Sequence, residues 1–456
     1  MGDVLAPAMF LCLVLALFLG FPVAFTLAAV GGVFGIIGVA TGHFNPAFLI
    51  NMLFRIQGTF NNDNLLALPL LIFMGMLLER TGLAEDMFVA LNRLFGRLAG
   101  GLAYTTIIVG AALSAITGFV SASVVAIGLI ALPVMLRSKY DPKLATGVIA
   151  AAGTLAQVIP PSLVLIVLAE QLEVSLIEIY RGALLPAALL VGSYLLYIFF
   201  ATLRSPARAP PRSEDDTAPG WQIVVEVLRA AGAPLVSVAA VLAAIFFGIA
   251  TPTEGGAIGV CVILLLGLAR RKLTGRNLRQ AMDVTGILCC GIIFLLLGAS
   301  FFMLVFRGLG GHLWIESLFA HLPAGQIGFI VFINIAIFFL AFFLDFFEIA
   351  FIVLPLIAPL ARQHGIDMVW FTVLLAVNLQ TSFMHPPFGI ALYNLRSVTP
   401  ASVRTSQIYW GAVPFLGLQV LMVGLLIAFP QIVTRPPAAP LDRNITIELP
   451  APQVDN

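Results

Sequence analysis

The sequence predicts an all-α polytopic membrane protein built from two inverted repeats, each with a re-entrant hairpin and a broken transmembrane helix. Composition, an internal repeat and the distribution of positive charge carry that expectation. Of 456 residues, 61% are hydrophobic and 10% charged, with a mean hydropathy of +1.07 and a net charge of +1. Soluble domains carry about 25% charged residues, so a chain this long with so few could not cover its surface with polar groups and belongs in a lipid bilayer. Near-neutral charge without a basic block gives no basis for nucleic-acid binding. Cys12, Cys261, Cys289 and Cys290 lie inside apolar runs with no C-x-x-C pair, and read as small core side chains rather than metal or redox groups.

The N-terminal Met1-Gly2-Asp3 lacks the basic region of a signal peptide, so the first apolar run is expected to stay as a membrane segment. From Val4 to Thr41 that run would measure about 55 Å as one helix against a core of about 30 Å, so two spans broken near Gly20-Phe21-Pro22 are expected. A polar patch with Asn51, Arg55 and Asn62 precedes a span at Leu65–Leu78, and Leu83–Leu98 has the periodicity of an interfacial amphipathic helix, with Met87, Leu91, Leu94 and Phe95 on its apolar face. Leu102–Leu136 is apolar but interrupted at Thr117-Gly118 and Ser121-Ala122-Ser123, as two limbs of a re-entrant hairpin would be. Leu144–Leu168 is broken by Pro160-Pro161, which supply no amide donors, and Ile177–Leu203 is a further span. The Pro-rich, charged segment 204–220 reads as a linker. The second half follows the same plan: spans near Pro234–Ile249, Glu254–Ala269 and Val284–Phe306, a double limb Ile327–Leu360 interrupted at Asp345–Glu348, a span broken at Pro386-Pro387, and a last span Gln407–Phe429. The expected organisation is a first repeat (1–203), a cytoplasmic linker and interfacial helix (204–230), a second repeat (231–430) and a disordered tail (431–456).

The repeat has a register. Pro133 and Pro359, Asp141 and Asp367, and Pro160-Pro161 and Pro386-Pro387 share one offset, and Gly20 and Gly248 nearly keep it, which chance placement of prolines would not sustain. Threading the spans places all but six of the 23 Lys and Arg on one side, the six being Arg55, Arg181, Arg307, Arg362, Arg435 and Arg443. Basic loops stay inside, so the first hairpin should open from the cytoplasm, the second from outside, and both termini should be external. That is a secondary-transporter plan, with sites where the broken segments meet.

Re-entrant tips expose backbone groups that must find a partner. Ser114, Thr117, Gly118, Ser121 and Ser123 sit at the first tip, and Gly153, Thr154, Gln157 and Ser162 flank the facing break. Hydroxyls and free carbonyls without fixed charge suit Na⁺, whereas the plain alternative is close packing of small residues. Asp345 and Glu348 lie i, i+3 in a Phe-rich segment, where carboxylates are costly and point to cation coordination, proton coupling or a pairing that holds the hairpin. Arg307, before Gly308, could clamp a carboxylate or act as a snorkelling anchor. Asn378, Gln380, Thr381, Ser382 and His385 crowd before Pro386, and Thr251, Thr253 and Glu254 read as residues holding a kink.

The stretches SAITGFVSASVVAIGLIALPVMLRSKYDPKLATGVIAAAGTLAQVIPPSL, GIATPTEGGAIGV, FFLDFFEIAFIVLPLIAPL and NLQTSFMHPPFGIALYNLR resemble the large membrane (M) subunit of tripartite ATP-independent periplasmic (TRAP) transporters over nearly the whole chain, nearest the 2-oxo acid and mannitol/chloroaromatic branch. The resemblance implies the ion-transporter superfamily fold, an elevator mechanism, Na⁺-coupled uptake of a small organic anion and no other cofactor. It also implies a small membrane (Q) subunit, a periplasmic substrate-binding protein and the bacterial inner membrane. On this resemblance the sodium sites map to Ser114, Thr117, Gly118, Ser121, Ser123, Gly153 and Ser162 in one half and to Asp345, Thr381 and Ser382 in the other. Substrate contacts map to Arg307, Gln157, Thr154, Asp345, Asn378 and His385. Two departures stand out: Phe119 replaces the family's usual Ser after the hairpin glycine, and His385 stands where related chains have Thr. No G-x-x-x-x-G-K-[ST] loop is present, which argues against an ATP motor. The competing readings are a binding-protein-independent transporter or exchanger, and an intramembrane enzyme using Asp345, Glu348 and His385, which would not explain why both halves break in register.

Overall fold

The computed structural model describes residues 2–96, 98–211, 220–319, 325–342, 344–386 and 389–434, and every regular element among them is helical. The first half runs α1 (Gly2–Phe18), α2 (Val23–Ala40), α3 (Asn51–Phe60), α4 (Asp63–Arg80), α5 (Leu83–Phe95), α6 (Gly101–Thr117), α7 (Val120–Arg137), α8 (Pro142–Thr154), α9 (Leu163–Leu172) and α10 (Leu176–Arg204). The second half has α11 (Gly220–Phe246), α12 (Pro252–Ala269), α13 (Gly275–Gly308), α14 (Gly311–Phe319), α15 (Gly325–Leu340), α16 (Phe346–Gln363, with a π turn at Ile349–Val353), α17 (Met368–Ser382), α18 (Ile390–Val398) and α19 (Thr405–Ala428). Seven of the described helices are long and apolar enough to cross a membrane alone, and nine spans result when each bent pair counts as one.

Positions that share the sequence offset occupy like places in the two halves. The first apolar run divides at Gly20, whose φ of +78° suits a residue without Cβ, and the equivalent turn holds Gly248 at +71°. Asp141 caps α8 by accepting from the Lys143 amide at 3.0 Å, and Asp367 caps α17 by accepting from Trp370 at 2.9 Å, so the two aspartates in register do the same work. At the start of α12, Thr251 and Glu254 exchange side-chain bonds with each other's amides at 3.3 and 2.7 Å, a capping box that holds the turn as expected.

Packing exchanges partners between the halves. Helix α2 lies on α13 while its counterpart α12 lies on α4, the counterpart of α13. The same reciprocity joins α5 to α11 and α14 to α1, α8 to α19 and α17 to α10, and α7 to α18 and α16 to α9. Helices α1–α5 and α11–α14 pack on one another, the hairpins, the broken helices, α10 and α19 do likewise, and α4 and α5 lie against α6 where the two sets meet. Helices α8 and α19 touch through backbone: a Cβ on Gly147 would lie 2.0 Å from the Gly411 carbonyl oxygen, and one on Gly411 would lie 2.1 Å from the Lys143 carbonyl oxygen. In lipid, where apolar side chains gain little by leaving their solvent, such close approach of small residues is a main source of helix association.

Several expectations are corrected in detail. The boundary between linker and second-half span dissolves, because α11 runs from Gly220 to Phe246, its two parts meeting at 48° on either side of Ala233; Pro234 bends this helix without ending it. Helix α13 starts at Gly275, within the expected basic loop, not at Val284. On α5, Met87 and Leu91 are buried but Leu94 is 40% exposed. Cys12, Cys261 and Cys290 lie on the outer surface of their helices rather than in the core. The start of the linker tucks under the first hairpin, with the Arg208 carbonyl accepting from Asp141 at 2.8 Å and the Ala209 carbonyl from Gly100 at 3.0 Å. Linker residues 212–219, Pro387 and the tail from 435 onward lie outside the described residues. On the basic face, Lys272 and Arg270 hold Asp86 of α5 at 2.7 and 3.5 Å, tying the second half to the first with the modest strength of part-exposed ion pairs.

Candidate functional site

Each hairpin tip meets a helix break. The first tip turns at Gly118, with φ +57°, where a Cβ would press to 3.2 Å on the Pro161 carbonyl oxygen and the Leu163 amide, so the tip sits on the break between α8 and α9. Its hydroxyls are engaged locally: Thr117 Oγ1 and Ser123 Oγ lie 2.7 Å apart, Thr117 donates to the Leu113 carbonyl at 3.0 Å, and Ser114 donates to the Ala152 carbonyl at 3.3 Å. Ser121 is half-buried. Gly153 acts by absence, since a Cβ there would lie 2.3 Å from a Val124 methyl and 2.9 Å from the Val124 amide nitrogen. Ser162 caps α9, accepting from Val164 at 3.2 Å and donating to the Gln157 carbonyl at 2.7 Å. Ser114, Thr117, Gly118, Ser123, Gly153 and Ser162 therefore do converge.

At the second tip, Asp345 is the N-cap of α16. Its carboxylate accepts from the Phe347 amide, and Glu348 accepts from the Asp345 amide at 3.1 Å, so the i, i+3 pair forms a capping box. Beside Asp345 lies a cavity of about 90 Å³ lined by Ala341, Phe342, Leu344, Ser382 and Ile390 among others. Ser382 and Asp345 thus share one chamber. Thr381 and Ser382 donate back to the Asn378 and Leu379 carbonyls, both at 2.6 Å. Asn378 turns to Asn334 of α15, donating to its carbonyl at 2.8 Å. His385 is fully buried, its ring 4.4 Å from Phe338 and stacked 4.3 Å from Phe342, and it does not line the Asp345 cavity.

The two breaks are joined by a buried polar cluster. Thr154 Oγ1 accepts from Gln380 at 3.3 Å and from Gln419 at 3.4 Å, and Gln419 also donates to the Tyr194 hydroxyl at 2.9 Å. Gln157 is wholly buried, and among the described residues neither polar atom of its side chain has a partner. Gln419 escaped the sequence reading, although a lone Gln in an apolar span is the kind of signal that marks such positions.

Arg307 stands apart. It lines a cavity of about 80 Å³ with Arg55, Gln171, Ser300, Phe351 and Pro355, and none of that lining is shared with the Asp345 cavity. Arg55, Gln171 and Ser300 were not anticipated as site residues; Arg55 was visible only as part of an amphipathic patch, because what pairs it with Arg307 is the packing of α3 on α13.

Comparison with known proteins fits this geometry. Residues 10–432 match the family model described as Tripartite ATP-independent periplasmic transporter, DctM component. The ectoine/5-hydroxyectoine TRAP transporter large permease protein UehC of Ruegeria pomeroyi is 26% identical, the alignment covering 94% of this chain and 97% of UehC. The C4-dicarboxylate large permease DctM of Pseudomonas aeruginosa is 26% identical over 87% of this chain and 90% of that protein. The sialic acid permease SiaT of Haemophilus influenzae is 25% identical over 82% of this chain, which spans only 59% of SiaT. Among solved structures, the Alcanivorax borkumensis YdaH transporter matches with a TM-score of 0.64 at 15% identity, over 92% of this chain and 99% of that one, which supports the fold. These relatives are transport permeases, so the intramembrane-enzyme reading falls away. Two half-chains of helices, each bringing a hairpin tip to a helix break, are thus those of a multi-pass membrane permease, and the chain belongs to the DctM family of TRAP transporter large permeases.

Proposed function

We propose that this chain carries a small organic anion into the cell by an elevator movement driven by Na⁺, in the bacterial inner membrane, with a small membrane subunit and a periplasmic binding protein as partners. The observation that carries the proposal is the meeting of each hairpin tip with a helix break, which supplies oxygen ligands without a helix to satisfy them. Na⁺ would be held at the first tip by Ser114, Thr117, Ser121, Ser123 and backbone carbonyls around Gly118, Gly153 and Ser162. In the second half, Asp345, Thr381 and Ser382 would hold it, the cap leaving a carboxylate beside the chamber. Thr154, Gln157, Asn378 and His385 frame the path between the breaks, and Arg307 draws the anion. The reciprocal packing of the halves and the gathering of basic residues in one set of loops support inverted repeats with both termini in the periplasm. Relatives named for sialic acid and C4-dicarboxylates favour an acidic cargo.

The test is uptake into proteoliposomes holding the complete complex, supplied with the binding protein and the acid it captures. An inward Na⁺ gradient should drive saturable accumulation, and replacing Na⁺ by K⁺ should remove it. Equal uptake under K⁺ would sink the coupling, and equal uptake without the binding protein would favour a stand-alone exchanger.

A further inference from the structure

Taking α1–α5 and α11–α14 as a scaffold and the hairpins, the broken helices, α10 and α19 as a carrier unit, we propose that Arg55 and Arg307 form a fixed receiving station for the anion on the scaffold, so that the cargo meets them on one face of the membrane only. The inference rests on the elevator reading above. Arg55 is carried by α3 and Arg307 by the end of α13, and α13 is held by α2 and α4. Neither arginine belongs to a hairpin or a broken helix, so neither moves with the carrier unit.

Both guanidinium groups line the cavity of about 80 Å³ and a wider cleft of about 500 Å³ that continues past Asn51 and Phe54. Among the described residues no carboxylate lies within 4.0 Å of either. Two unneutralised cations held side by side in a chain with 10% charged residues repel each other, and a carboxylate entering the cleft relieves both. Leu296, Ala299, Ser300 and Met303 of α13 form the same side of the smaller cavity as Arg307, and the facing wall comes from the carrier unit: Gln171 of α9, and Phe351 and Pro355 of α16. Beside Gln171, Glu170 accepts from the Asn62 side chain at 2.7 Å, and Asn62 lies on the scaffold between α3 and α4. The structure therefore holds the carrier unit docked at the level of the station. When the unit moves, the anion leaves the arginines behind and is retained by the carrier's own groups, so the station raises capture and association rate at one face and contributes nothing at the other.

Uniformly oriented proteoliposomes of neutral phosphatidylcholine, with the full complex and the captured acid, test this. Arg55→Gln and Arg307→Gln should each raise the KM for external anion by about tenfold or more, the loss of one charge-assisted contact. The KM for internal anion during exit should change by less than about twofold, and the Na⁺ concentration giving half-maximal uptake should stay put. In the unaltered protein, raising ionic strength should lift the external KM and leave the internal one, a reading that needs no variant to fold. An equal rise at both faces, no rise at either, or an effect seen only after anionic lipid is added would overturn the proposal, the last by assigning the arginines to a lipid headgroup. Absence of Na⁺-driven uptake in the unaltered protein would instead count against the transport reading itself.

Discussion

Leucine in place of Gly411 should remove the folded protein from the membrane rather than slow it. Both contacts at this point are to backbone: the Gly411 Cβ position lies 2.1 Å from the Lys143 carbonyl oxygen, and that of Gly147 lies 2.0 Å from the Gly411 carbonyl oxygen. No flexible side chain can yield, so α8 and α19 would have to separate along their length and uncover the buried cluster of Thr154, Gln419 and Tyr194. Overpacking that displaces only side chains costs about 1–3 kcal/mol, and displacing two helices should exceed that range. Size-exclusion chromatography in detergent should show loss of the monodisperse peak for Gly411→Leu and a lowered melting temperature for Gly411→Ala. A folded leucine variant with ordinary melting would show that these helices are not packed as described.

The second large effect is at Asp345, where two roles can be separated. Asparagine caps a helix about as well as aspartate, whereas alanine costs about 1 kcal/mol at such a position. Asp345→Asn should therefore keep its thermal stability while shifting the Na⁺ concentration for half-maximal uptake upward by about tenfold, the loss of a charged oxygen from a hard-cation site. Asp345→Ala should show that shift together with a less stable second hairpin. If the asparagine variant titrates with Na⁺ like the unaltered protein, Asp345 serves as a cap alone.

Much of this architecture was legible in the residues. The hairpin limbs fell within a few residues of Gly101–Thr117 and Val120–Arg137 because apolar runs are uninterrupted and glycine marks the tip. The equal spacing of Asp141 and Asp367 gave the repeat, and the structure shows why: each starts a broken helix. What was hidden depends on which surfaces meet. Nothing in the chain says that Arg55 faces Arg307 across α3 and α13, or that His385 fills an aromatic slot between Phe338 and Phe342. Pro234 illustrates a local rule overruled, since its helix continues on both sides with a bend.

The exchange of partners between halves has a bearing on biogenesis. Gly31 of α2 packs against Phe301 and Phe302 of α13, so a segment made near the start of synthesis acquires its neighbour only when one far downstream emerges. At roughly 5–20 residues per second, the roughly 270 intervening residues keep α2 waiting for on the order of ten to fifty seconds. During that interval acyl chains must cover its bare glycine flank, and the pace of the ribosome sets a floor on how soon a native molecule can exist.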